Sequence, residues 1–326
     1  VSTILESLPG ITLPVAEVNR QLGRMWQPGR EGSGAPSEFR ASQMNLILHF
    51  GVHTDPEEAK SCFDQAIEFS QRYPSRIIVL CPEECPEGER FLEAKLFAQC
   101  YIGHAPRTMC CCEALMLGYP PNDSGDLENQ ISIWLENDLP TCYWFHRVPT
   151  DRIRKHYLPF TRGMRRILYD SSVEKDAYRD ISWERPDRVK DLAAARILPI
   201  RQSIGQYLSG FDPELLRSGV KGVRVSAPKS LSGEAGNLCG WMCRCLESAG
   251  AEAPLEARVE ETDTDNRTLS GEWIVEGTEH QFAFDLDLLQ SRGCLTSKFG
   301  SHSSENWPFE THLLGSRATL SEAVFF

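Results

Sequence analysis

The apolar positions of this chain alternate between short unbroken runs and stripes at helical spacing. Residues 44–50 (MNLILHF) and 76–81 (RIIVLC) are uninterrupted runs of strand length, the pattern of strands buried on both faces. Between them, Asp55-Pro56-Glu57-Glu58 predicts a helix start, with a capping carboxylate, proline in the first turn and acids at the positive helix end. Phe63, Ala66 and Ile67 supply that helix with an apolar stripe. Residues 91–102 and 108–117 are two more strand-like runs, separated by the turn-forming Gly103-His104-Ala105-Pro106. An amphipathic helix follows over 126–137, then buried strands over 139–146 and 166–169 with a helix over 150–160 between them. Strands alternating with helices predict a mostly parallel sheet with covered faces, and the 91–117 pair an antiparallel edge hairpin.

Ahead of this region, residues 15–26 carry a helical pattern, and the Gly, Pro and Ser content of 27–42 predicts a linker. Beyond it, Val189, Leu192, Ala193, Ile197, Ile200, Ile204 and Leu208 fit one long helix over 186–208, kinked at Pro199. A strand over 220–225 and a helix over 232–248 follow. Antiparallel strands are expected at 256–260, 271–275, 281–285 and 294–298, and a docking helix in 301–326, which holds Trp307-Pro308-Phe309. The fold class expected is α/β: a mostly parallel N-terminal sheet with an antiparallel edge hairpin, then a smaller α+β domain. The domains expected are an N-terminal helix and linker (1–42), an α/β domain (43–180) and an α+β domain (181–326).

Charge narrows the partners. The 326 residues hold 46 Asp+Glu against 34 Lys+Arg, a net charge of −12, which argues against a dedicated nucleic-acid binder. No stretch approaches the ~18–20 apolar residues that span a bilayer. Residues 1–8 lack the basic start of an export signal, so a soluble cytoplasmic protein with no membrane role is expected. Reduced thiols are then the default for the 12 cysteines, most of them acting as small buried hydrophobes. Cys81 and Cys85, in an expected loop, form the candidate redox pair.

Catalytic motifs are sparse. There is no phosphate loop, zinc helix or nucleophile elbow, and Gly32-Ser33-Gly34 precedes a strand instead of following one. The histidines are scattered, and Cys142 and His146, four apart on a strand, would lie ~13 Å apart. No catalytic residue, metal site or cofactor is expected. Against the acidic background, Arg147, Arg152, Arg154, Lys155, Arg162, Arg165 and Arg166 fall within twenty residues. Such a cluster could hold an acidic partner surface or a phosphorylated sugar. Asp170-Ser171-Ser172 follows directly at a strand end, where open α/β sheets form their ligand crevice.

Several short motifs together resemble one family. They are Met44-Asn45-Leu46, Pro74-Ser75-Arg76, Cys112-Glu113, Asp138-Leu139-Pro140 with Trp144, Asp170-Ser171-Ser172, Asp191-Leu192-Ala193 with Arg196, Pro199 and Arg201, and Gly240-Trp241. In this order and spacing the chain resembles the glucose-6-phosphate dehydrogenase assembly protein (OpcA) family. Ala194 and Ile200 stand where that family carries tryptophans, and Cys245 where it carries arginine, so the resemblance is to a divergent member. The resemblance implies a non-catalytic allosteric activator in carbohydrate metabolism. Its partner would be glucose-6-phosphate dehydrogenase, at the entry to the oxidative pentose phosphate pathway, whose active oligomer it promotes. Arg196, Arg201 and the Arg162–Arg165–Arg166 cluster are the candidate contacts. The alternative is an enzyme or sensor that binds a sugar phosphate or nucleotide through Asp170, Ser171, Ser172 and the nearby arginines.

Overall fold

The computed structural model describes residues 3–25, 42–84, 92–102, 109–121, 127–174, 178–263 and 266–326. Cys85, the glycine-rich motif at 32–34 and the turn at 103–106 lie outside the described residues. The chain divides into two compact units: Val1–Tyr169 with Glu174–Lys190 and Leu320–Phe326, and Asp170–Val173 with Asp191–Thr319.

The first unit contains α1 (Ile4–Ser7), β1 (Ile11–Leu13), α2 (Val18–Met25), β2 (Met44–Phe50), α3 (Pro56–Arg72), β3 (Ser75–Pro82), β4 (Glu93–Ile102) and β5 (Met109–Tyr119). It continues with α4 (Leu127–Trp134), β6 (Thr141–His146), α5 (Thr150–Arg152), β7 (Arg166–Tyr169) and β8 (Val189–Asp191). The eight strands order as β1-β4-β5-β3-β2-β6-β7-β8. β5, β3, β2, β6 and β7 run parallel, and β4 is antiparallel to β5. The sheet is therefore mostly parallel with an antiparallel hairpin, as expected. The hairpin does not form the edge, however, because β1 pairs outside β4.

All seven residues of β2 and all eight of β3 are buried, which explains their unbroken apolar runs. Asp55 caps α3, its carboxylate accepting from the backbone N–H groups of Glu57 and Glu58. Replacing Asp55 by Ala should cost about 1 kcal/mol in a urea titration. At the N-terminal ends of the parallel strands, Asn45 Nδ2 donates to the Glu136 carbonyl at 3.0 Å, and its Oδ1 accepts from the Glu136 N–H at 3.0 Å. Beside it, buried Arg76 pairs with Glu113 at 2.6 Å and donates to the Trp134 carbonyl at 2.9 Å. Asn45, Arg76 and Glu113, which carry part of the family resemblance, thus clamp the strand starts.

The second unit holds α6 (Leu192–Arg196), α7 (Leu198–Leu208), α8 (Pro213–Arg217), β9 (Val220–Pro228), α9 (Ser232–Ser248), β10 (Glu256–Thr262), β11 (Thr268–Val275), β12 (Gln281–Asp287), β13 (Arg292–Phe299) and β14 (His302–Glu310). α10 (Ser316–Phe325) ends the chain. A six-stranded sheet runs β10-β9-β11-β12-β13-β14, largely antiparallel. Phe282, Phe284, Leu286 and Leu295 of this sheet join Leu238 and Met242 of α9 in one core.

Three local expectations are corrected. The helix expected over 186–208 is a short helical turn at Pro186–Arg188, then β8, α6 and α7. The interruption is Asp191, whose carboxylate caps α6 by accepting from the Ala193 N–H. β10 pairs in parallel with β9, not antiparallel. The docking helix expected in 301–326 is instead β14, which carries Trp307, Pro308 and Phe309, followed by α10.

Candidate functional site

Asp170, Ser171, Ser172 and Arg196 come together, all within the second unit. The Arg196 guanidinium forms a two-pronged pair with Asp170, Nη1 to Oδ2 and Nη2 to Oδ1 each at 2.7 Å. Its Nε donates to Glu234 Oε1 at 2.6 Å, and the Ser172 hydroxyl bonds the other Glu234 oxygen. Ser171 N–H donates to Asp191 Oδ1 at 3.1 Å, and Asn237 Nδ2 to Asp191 Oδ2 at 2.6 Å. Gly233 completes the cluster, since a Cβ there would lie 2.4 Å from the Ser172 nitrogen. Burial opposes the charge on Arg196, but the bonds to Asp170 and Glu234 outweigh it and hold its pKa above the usual arginine value.

This arrangement is closed upon itself. One guanidinium stands against the carboxylates of Asp170, Glu234 and Asp191, an acidic surplus that repels phosphate. The donors on which a phosphate would rely are turned inward, onto carboxylates of the same unit. The cluster binds chain segments to one another.

The other arginines differ. Arg162 and Arg165 are exposed, and Arg162 makes a loose pair with Glu184 at 3.3 Å. Arg166 lies on β7, half-buried, with its Nε buried and without a hydrogen-bond partner. Arg201 is half-buried on α7. The helix expected over 150–160 is α5, a π-turn at Ile153–Tyr157 and a tighter turn at Leu158–Thr161. Arg154 and Lys155 of the π-turn are exposed alongside Arg162 and Arg165.

Cys81 is buried on β3, not on a loop, and burial pushes its thiol well up, with Glu83 adding to the shift. That keeps it protonated and unreactive. The expectation of reduced thiols is corrected at Cys100, which is disulfide-bonded; Cys111 opposes it in the β4–β5 register.

Strand order reverses between β2 and β6, so the crevice of the parallel sheet lies at their carboxyl ends. The sequence reading named Glu58, His146 and Arg147 separately and did not bring them together there. Glu58 of α3 accepts from His146 Nε2 at 3.1 Å and from Arg147 Nε at 2.5 Å. These contacts, that with His146 foremost, pull the Glu58 carboxyl down to about 2. Arg147 has φ 57°, an unusual value for a side chain of its size. Gly51 permits it, because a Cβ there would sit 1.8 Å from the Arg147 carbonyl oxygen. Cys62 Sγ approaches both ring nitrogens of His146, at 3.6 and 3.7 Å. Near-equidistance aligns the sulfur with neither N–H axis, and both residues are at most 5% exposed, so proton transfer to a bound substrate has neither geometry nor access here. The one sequence signal was the four-residue spacing of Glu58 and Cys62 on a helix. Among the described residues, no group of three or more His, Cys, Asp or Glu could hold a metal ion, and no helix is long and apolar enough to cross a membrane.

Residues 66–183 match a family model described as the glucose-6-phosphate dehydrogenase subunit N-terminal domain, the OpcA assembly family. Over that span the chain is similar to the OpcA family. The matched span runs from within α3 through β7 and includes the Arg76–Glu113 clamp, the basic 152–166 segment and Asp170-Ser171-Ser172. None of the curated proteins compared with the chain matches it.

Proposed function

We infer that this protein is a non-catalytic partner of glucose-6-phosphate dehydrogenase that favours the dehydrogenase's active oligomer. The observation that carries this reading is the OpcA match over residues 66–183. An effector shifts such an equilibrium only by binding the active assembly more tightly than the inactive one. A 100-fold preference corresponds to about 2.7 kcal/mol, within the range of one interface.

The contact surface assigned is the basic segment that contains Arg154, Lys155, Arg162 and Arg165. All four side chains are exposed, on a chain whose net charge is −12. A positive island on an acidic protein steers it toward a complementary acidic patch and fixes its orientation. Arg196 is excluded from this role by its pairing with Asp170 and Glu234.

Replacing both Arg162 and Arg165 by Glu should slow association with the dehydrogenase at least tenfold at low salt, measured by biolayer interferometry. Circular dichroism should remain that of the parent, because both side chains are exposed. An unchanged association rate would remove this segment from the interface.

A further inference from the structure

The two edges of the six-stranded sheet differ. β14, at one edge, carries Pro308, which offers no N–H, and its register with β13 shifts between Leu295 and Ser297. Proline and a bulge are devices that keep an edge strand from pairing further. β10, at the other edge, has neither. Its seven residues, Glu256–Thr262, follow β9 in unbroken register, and all but Thr262 are exposed. Among the described residues, no strand pairs with its outer side. The N–H and C=O groups on that side are a template for one more strand.

The side chains say which strand fits. Ala257, Val259 and Glu261 stand beside Val223, Val225 and Ala227 of the core, so they share its face. Val259 is 45% exposed at the rim of that core. Arg258 and Glu260 alternate onto the opposite face. A twofold axis normal to the sheet sets β10 antiparallel to its own copy and keeps the two cores on one side. With the axis at residue 259, the whole strand pairs. Val259 meets the partner's Val259, Arg258 the partner's Glu260, Ala257 the partner's Glu261 and Glu256 the partner's Thr262. No like charges stand opposite. Moving the axis one residue either way sets Arg258 against the partner's Arg258 or Glu260 against the partner's Glu260, which cross-strand pairing disfavours. The in-chain pairs, Arg258 with Glu256 at 2.6 Å and Arg224 with Glu260 at 3.3 Å, are open to solvent, hold little energy and can exchange.

We propose that two copies of this chain join through β10, antiparallel about Val259, so that one sheet runs on into the other. This goes beyond the dehydrogenase reading, and its test uses this chain alone.

Sedimentation velocity on the full chain over a range of concentrations reads the association directly. The parent should form a reversible dimer. Arg258→Glu should weaken it at least about tenfold, because it creates two like-charged pairs, one on each side of the axis. Glu260→Arg should do the same. Both side chains are exposed, so circular dichroism of each variant should remain that of the parent. Mixing the two single variants should restore the dimer, since every charge then meets its opposite across the axis. A parent that remains monomeric, a dimer that Arg258→Glu leaves intact, or a mixture of variants that stays monomeric would each overturn the proposal.

Discussion

Replacing Arg196 by alanine should destabilise the protein by about 3–5 kcal/mol, the penalty for breaking a buried ion pair and leaving its partner charge uncompensated. Arg196 joins two carboxylates, Asp170 with a side chain 10% exposed and Glu234 with one 3% exposed. Removing the guanidinium leaves both charges buried side by side. Urea denaturation of parent and variant measures the loss directly. Adding Asp170→Asn and Glu234→Gln to the variant should restore part of the stability, because neutral amides tolerate burial better than unpaired carboxylates. A loss below about 1 kcal/mol for Arg196→Ala, the size of a surface pair, would contradict the structural role assigned to this cluster.

Acid should destabilise the protein through His49. Its imidazole is fully buried, with Nδ1 at 2.8 Å from the Tyr143 hydroxyl and Nε2 at 2.6 Å from that of Tyr119. Burial, reinforced by the positive charge of Arg152, lowers its pKa from the ordinary 6.5 to about 3. The unfolded chain therefore takes up a proton near pH 6.5 while the folded protein refuses it until about pH 3. The contribution of neutral His49 is fully present above pH 6.5 and is lost as pH falls toward 3, at about 1.4 kcal/mol per pH unit within that window. Glu58 acts lower: its stabilisation holds above its ordinary value of 4.5 and is lost as pH falls to about 2. The interval from pH 6.5 to 4.5 thus isolates His49 from Glu58. His49→Gln can still hydrogen-bond both tyrosines and does not titrate, so its unfolding free energy should be flatter there than the parent's. Identical slopes would show that His49 does not carry the acid response.

Local chemistry was legible in the sequence, and long-range polar contact was not. Asp55-Pro56-Glu57-Glu58 announced a helix start because capping involves only neighbours, and the β2 and β3 runs announced burial on both faces. The 186–208 stretch misled because Val189, Leu192, Ala193, Ile197, Ile200 and Ile204 satisfy helical spacing wherever the helix is broken. What breaks it is the Asp191 carboxylate, engaged with Ala193, Ser171 and Asn237. Two of those partners are distant in sequence.

The candidate site shows the same division. Asp170, Ser171, Ser172 and Arg196 stood out as a polar group near a strand end. That Glu234, 38 residues beyond Arg196, closes the group into an internal ion pair depends on tertiary packing alone. The Cys62–His146 contact spans 84 residues, and the direction of β10 beside β9 is likewise a tertiary choice.

Under the proposed function, this protein raises the activity of glucose-6-phosphate dehydrogenase by favouring its larger assembly. That reading is tested most directly by assaying the dehydrogenase from the same organism, with and without this protein, while light scattering follows its size. The account predicts higher activity together with a shift to larger species, both reduced by the Arg162→Glu, Arg165→Glu double variant. Unchanged activity and unchanged size, in oxidising and in reducing buffer, would contradict it.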